Sequence, residues 1–254
     1  MGLSDVPGLS DGEGLIWLEG GLGGPGLTAA AFSPLSLAPF LWLDPSDLST
    51  LFQDAAMTTP VTADSDPVGA ILDKSGNGHH LTQATGAARP LYNTAGGLHW
   101  LETDGVQQFF AATVSPSIPQ PITRISAIRQ LDWSNPSFIF PVGPDLRQTG
   151  SSPRIAMDAG SAQIPSDDAA INADVVVIEV FNGASSSLTI DAGTAATGDP
   201  GANALDHIGF GAQFDSSLFA SVRLYGVTIF DRLLTAPEIA RLRTYLASKQ
   251  GRVL

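Results

Sequence analysis

The stretch 73-DKSGNGHHL-81 sets how the rest of the chain is read. A phosphate-binding loop needs its glycines ahead of a Lys-Ser pair that opens a helix, whereas Lys74-Ser75 here precedes Gly76 and Gly78. A calcium loop of the EF-hand type needs alternating oxygen donors and a closing Glu, and after Asp73 and Asn77 only His79 and His80 follow. Ser75, His79 and Asp73 stand side by side in sequence, while a nucleophilic triad is assembled from distant segments. A turn fits better. Asn77-Gly78 is the preferred pair for a two-residue type I′ turn, and Asp73 and Ser75 are suited to satisfying nearby backbone N–H groups. As a hairpin corner, the stretch sends Ile71 and Leu81 to the core and leaves His79 or His80 over a sheet edge.

Outward from this corner the chain keeps one style. Short apolar runs such as 40-FLWLD-44, 98-LHWLETD-104, 107-QQFFAATV-114, 137-SFIFPVG-143 and 206-DHIGFGA-212 are bounded by Gly, Asn, Asp or Pro, as antiparallel strands are. The run 175-VVVIEVF-181 is the most β-branched and predicts a central strand buried on both faces. In 222-VRLYGVTIF-230 simple alternation places Val222, Leu224, Gly226, Thr228 and Phe230 on one face and Arg223, Tyr225, Val227 and Ile229 on the other. Ser46 or Asp47 can cap a short helical turn carrying Leu48, Leu51 and Phe52. The end differs in kind: Thr235 with Glu238 forms a capping box, Pro237 sits in the first turn, and Ile239, Leu242, Tyr245 and Leu246 recur at helical spacing up to a Gly251 stop.

At 254 residues with 27 Gly, 18 Pro and 15% charged residues, the chain suits one all-β domain with an appendage. The formal net charge of −13 repels phosphate backbones and anionic lipid, which argues against nucleic acid as a partner. The lack of cysteine removes disulfides, thiolate metal sites and cysteine nucleophiles together. The start, MGLSDVPGLSDGEG, carries acids where an export signal carries basic residues, and 27-LTAAAFSPLSLAPFLWL-43 is too short and too proline-broken to span a membrane. Residues 1–38 are rich in Gly and show no sustained period; they read as a disordered tail or as an arm that orders on another subunit, with the apolar island Leu15, Ile16, Trp17 and Leu18 as its anchor. The domain then occupies 39–254.

The W-x-D-x-S-D element 42-WLDPSD-47, the corner 73-DKSGNGHHL-81, Arg89-Pro90, and the last strand leading into a helix, 223-RLYGVTIFDRLLTAPEI-239, together resemble the concanavalin A-like, laminin G-like jelly rolls common in bacteriophage virion proteins. The resemblance covers about residues 40 to 250. It implies a two-sheet antiparallel jelly-roll sandwich closed by the C-terminal helix, with ligands met on the concave face or the rim loops. Members of this family bind glycans, use calcium, hydrolyse glycosides or serve as structural modules of tails, spikes and capsids, so the fold leaves the activity open.

Glycoside hydrolysis requires a pair of carboxyl groups, and 102-ETD-104, within a strand-like run, sets two acids at i and i+2. Asp104-Gly105 also reads as a turn, and no catalytic residue is assigned. His79, His80, His99 and His207 lack the helical spacing of a zinc site, so no metal site or cofactor is assigned, and calcium is not indicated. For a sugar the useful groups are an aromatic platform beside amides, acids or arginine. Trp133 and Asn135 in one expected turn, with Asp145 and Arg147 (and Gln148) in the next, are the binding candidates; Trp133 plugging the end of the sandwich is the alternative. The favoured function is a non-enzymatic spike, fibre or decoration component of a phage or phage-like virion. It would be assembled in the host cytoplasm, displayed on the virion surface, held to other virion proteins through the arm, homo-oligomeric, and bound to host-surface glycan. A polysaccharide-degrading hydrolase of the same fold, with Glu102 and Asp104 at work, is the second expectation.

Overall fold

The computed structural model describes residues 32–254 apart from 135, 142, 151 and 152, and leaves the side chains of 167 and 168 undescribed. The segment 1–31, with Leu15, Ile16, Trp17 and Leu18, lies outside the described residues, as does Asn135.

Turn residues interrupt the chain every few positions, and the described part is accordingly built of short strands. The first half carries β1 (Leu41–Leu43), β2 (Leu51–Phe52), β3 (Ala70–Ile71), β4 (Leu81–Thr82), β5 (Leu91–Ala95), β6 (Leu98–Asp104), β7 (Phe110–Ile118) and β8 (Ile122–Gln130). The second half carries β9 (Ser137–Phe140), β10 (Asp145–Thr149), β11 (Arg154–Asp158), β12 (Ile164–Asp168), β13 (Asp174–Phe181), β14 (Ser186–Ile190), β15 (Ala196–Gly198), β16 (Leu205–Phe210) and β17 (Ser221–Phe230), before α1 (Ala236–Lys249). The helical turn expected after Asp47 is a 3-10 turn at Leu48–Thr50, with the Asp47 carboxylate accepting the Ser49 N–H.

The described strands pair antiparallel within their sheets, with isolated parallel bridges at Phe138–Phe219 and Asn182–Ala184. One large sheet runs β15-β14-β13-β8-β17-β6-β5, with β1 pairing beside β6 along the same edge of β17. The smaller sheets β12-β11-β10-β9, β16-β7 and β2-β3-β4 lie over one of its faces. Links such as Gly211 N–H to Ile139 O (2.9 Å) and Gln83 Nε2 to Phe109 O (3.1 Å) tie these smaller sheets to one another. Period-2 alternation then divides each central strand between two cores. Ile122 and Ile128 of β8, and Val175, Val177 and Phe181 of β13, pack toward the smaller sheets with Phe140, Leu146, Ile155 and Phe210. Ile125, Ala127, Val176 and Ile178 face the other way, onto Leu242 and Leu246 of α1. That is why 175–181 is apolar but for Glu179, which pairs with Arg124: each of its faces is covered.

Strand β17 departs from simple alternation. A bulge between Leu224 and Gly226 shifts the register, so Val222 and Leu224 share a core with Val227 and Ile229, while Tyr225 and Phe230 face the helix. One extra residue reverses which side chains point inward beyond it, which corrects the expected grouping of Gly226 and Thr228 with Val222. Gly226 stands at the bulge because α1 presses there: a Cβ on it would lie 3.1 Å from Leu246 Cδ2.

The helix starts as its sequence predicts. The Glu238 carboxylate accepts both the Thr235 N–H (2.7 Å) and the Thr235 hydroxyl (2.9 Å), and Gly251 takes a left-handed φ of 71° just past its end. Phe32 and Leu37 also pack against the helix-side core, so the folded unit begins before the expected boundary at residue 38.

Candidate functional site

The two motifs at 42–47 and 73–81 meet in space. Asp73, buried, accepts the Trp42 N–H (3.0 Å) and Ser75 N–H (2.8 Å) on one oxygen, and the Ser75 hydroxyl (2.6 Å) and His79 N–H (3.1 Å) on the other. The Ser75 hydroxyl also reaches Phe40 O, and Asn77 Nδ2 donates to Pro39 O (3.1 Å) and Phe40 O (3.0 Å). Left-handed φ occurs at Gly76 (91°) and Gly78 (80°), not at Asn77. The expected two-residue type I′ turn is therefore replaced by a longer loop, since that turn needs positive φ at both central residues and Asn77 is held by the carbonyls it caps. Ile71 and Leu81 are buried as expected, and His80 Nδ1 accepts the Asp73 N–H at 3.0 Å.

Asp44 is the second centre of this clasp. Its carboxylate accepts Ser46 Oγ (2.6 Å), Tyr245 OH (3.1 Å) and Lys249 Nζ (2.9 Å), joining the first strand to the last helix. Burial works to raise its pKa, but the Ser46 hydroxyl and the Lys249 and Lys74 ammoniums outweigh it and hold the carboxyl below the ordinary range. Lys74 lies 4.4 Å from the centre of the Trp42 ring and bridges to Asp47 at 2.7 Å.

Glu102 and Asp104 are both engaged. Glu102 Oε2 accepts Trp100 Nε1 (3.0 Å) and Arg223 Nε (2.8 Å). Asp104 Oδ1 accepts the N–H groups of Val106, Gln107 and Gln108 at 2.8, 2.9 and 3.1 Å, so it caps the turn that follows β6. Among the described residues no cluster of three or more His, Asp or Glu side chains is arranged to hold a metal ion.

Asp145 and Arg147 lie on strand β10 rather than in an open turn, a correction to the expected site. Asp145 is buried and takes a two-pronged bond from Arg147 (2.9 and 2.6 Å), which also reaches Asp158 at 3.0 Å and covers the Phe138 ring at 4.7 Å. Burial pushes the Asp145 carboxyl up to about 7 against the pull of Arg147, and the charge of Asp158 adds to the rise. Gln148 is buried as well and bonds Ser137, Gln130 and the Ser134 N–H. Trp133 is half-buried, and its Nε1, which a sugar platform would keep in water, is inside the fold. The plug reading fits this tryptophan, and the structure does not gather the described candidates Trp133, Asp145 and Arg147 into one open site. Deeper still, Arg124 grips Glu179 with two bonds of 2.6 Å and stands 4.5 Å from the Phe140 ring centre.

A groove not legible in the sequence lies beside the clasp. It has a volume of about 550 Å³ and is formed by three separate segments: Leu35, Ala38, Pro39 and Phe40 before β1, then Ser75, Asn77 and His79 of the corner, then Asp231 just after β17. The Phe40 and His79 rings lie 4.1 Å apart at 34° and are half-buried.

No protein-family model matches the chain, and no curated protein matches it. Solved structures do. A GH54 α-L-arabinofuranosidase shares 13% identity at a TM-score of 0.61, over 83% of this chain and 63% of that one. The Trypanosoma rangeli sialidase in complex with sialic acid shares 14% at 0.51, over 82% of this chain and 32% of that one. The botulinum neurotoxin type G receptor binding domain shares 14% at 0.52, over 82% and 51%. The chain thus spans about a third of the length of the sialidase and under two thirds of the other two. Similarity at this level shows a common β-rich fold.

Proposed function

We propose that the chain is a non-enzymatic display component of a phage or phage-like virion, a concanavalin A-like jelly roll that binds host-surface carbohydrate. The large sheet packed face to face on smaller antiparallel sheets supports the jelly-roll assignment, together with the clasp formed by the two motifs of that family's pattern. One observation carries the non-enzymatic reading. The carboxylates nearest to a hydrolase pattern are already spent within the fold: Glu102 on Trp100 and Arg223, Asp104 on three backbone N–H groups. A glycosidase needs one carboxyl free to donate a proton and another free to attack or activate water. In this reading the N-terminal arm joins other virion proteins, and copies of the chain assemble on the particle surface.

The test pairs two assays on the full-length protein. Binding to an array of bacterial surface glycans is expected, with no release of reducing sugar from the same glycans. Release that disappears in Glu102→Gln or Asp104→Asn would replace the display reading with hydrolysis.

A further inference from the structure

We propose that the groove between Phe40, His79 and Asp231 is a saccharide site that takes one neutral pyranose ring; this rests on the carbohydrate-binding reading above and gives it a location. Asp231 is the first reason. Among the carboxylates whose side chains are described, the others accept at least one hydrogen bond or ion pair, and Asp231 has neither. Its neighbour Arg232 is committed elsewhere, to Glu238 at 2.9 Å and to Leu37 O at 3.2 Å. An uncommitted carboxylate at the rim of a groove is free to accept from two adjacent ring hydroxyls, and such charge-assisted bonds are the strong ones.

The rings are the second reason. A pyranose presents a face of C–H groups edged by hydroxyls, and the half-buried Phe40–His79 stack, its rings 4.1 Å apart, lines the groove and has an outer ring face of matching size. Neither ring nitrogen of His79 is hydrogen-bonded to a described residue, so this side chain adds a donor or an acceptor next to the platform. The wall behind is already fixed. Asn77 spends its amide donors on the Pro39 and Phe40 carbonyls and Ser75 its hydroxyl on the Asp73 carboxylate, so binding orders little that is not ordered already. A volume of about 550 Å³ lies within the range of small-molecule pockets. A net charge of −13 selects against acidic sugars and favours neutral ones.

The test is a titration of isotope-labelled full-length protein with the methyl glycosides of glucose, galactose, mannose and rhamnose, followed by amide chemical shifts. The glycan-array assay is run on the same variants. Shifts are expected at Phe40, His79 and Asp231, and Asp231→Asn is expected to weaken binding about tenfold, the equivalent of one lost charge-assisted bond. Its melting temperature should stay close to that of the wild type, because Asp231 makes no hydrogen bond or ion pair and acts on Arg232 only through its charge. His79→Gln should weaken binding in the same direction. Binding unchanged in both variants but abolished in Trp133→Ala would overturn the groove while leaving carbohydrate binding in place. Failure to bind any glycoside or arrayed glycan would overturn both.

Discussion

Asp73 accepts four hydrogen bonds from two segments about thirty residues apart, and three of the four come from backbone N–H groups. Removing the carboxylate strands buried donors as well as losing attraction, so Asp73→Ala should lower stability by about 3 kcal/mol, read as a fall in the urea midpoint at unchanged slope. That Asp73 would serve nearby backbone groups was legible from its place in a turn; that it also holds Trp42 was not, because nothing local reports a partner 31 positions away. Asp145 shows the opposite failure. An acid two residues from an arginine looks exposed in sequence, and only the pairing of β10 with β9 and β11 puts it inside. Its folded carboxyl keeps its proton up to about 7 against an ordinary 3.8, so the folded state binds more protons than the unfolded one across that window. This group's contribution to stability should therefore decline as pH rises from about 4 through about 7. Urea midpoints measured from pH 5 to pH 8 should fall less steeply in Asp145→Asn than in the wild type, and equal slopes would mean the carboxyl is ionised throughout.

At the scale of elements, strands with strong apolar patterns and the capped helix were legible, since β-branched runs and the Thr235–Glu238 pair act within a few residues. Strands β5, β10, β12 and β15 were not. Their sequences are mixed or polar, and their place is set by the neighbours they pair with, as Ala196–Gly198 is by β14. The bulge in β17 was hidden too, because a glycine in a strand signals an irregularity without giving its register. Between β8 and β13 the pairing of Glu179 with Arg124 carries an ion pair into the core, where burial works to raise the Glu179 pKa and Arg124 to lower it, with burial the larger. Such a pair costs much desolvation and is dangerous to break by halves. Arg124→Met should destabilise by about 4 kcal/mol, leaving Glu179 without its guanidinium, whereas adding Glu179→Leu should recover most of the loss. A double variant no more stable than the single one, in urea unfolding, would show that the guanidinium is needed chiefly for its bond to Pro144 O, 3.0 Å away.

For the whole molecule, sequence style and the spacing of turn residues conveyed a β-rich fold with one terminal helix, while the groove stayed hidden because it joins residues near 40, 77 and 231 that only the folded chain brings together. The division of labour along the chain leads to a last expectation. Among the described residues, from Phe32 onward, two hydrophobic clusters form, with Leu41, Phe110, Phe181 and Phe230 fully enclosed among them. A segment as rich in glycine as 1–31 cannot build a core of its own and has a large entropy to lose on ordering. Removing it should therefore leave a cooperative melting transition and a strand-dominated circular-dichroism spectrum. In the virion reading that same truncation should abolish incorporation into particles, because the arm is the attachment element. Within it Trp17 is the side chain able to bury the most area, so Trp17→Ala in the full-length chain should weaken attachment by about 2 kcal/mol, roughly thirtyfold in affinity. Co-sedimentation with particles lacking the protein measures both. Full incorporation of the truncated chain would remove the arm from the attachment role, and loss of its melting transition would make residues 1–31 part of the fold.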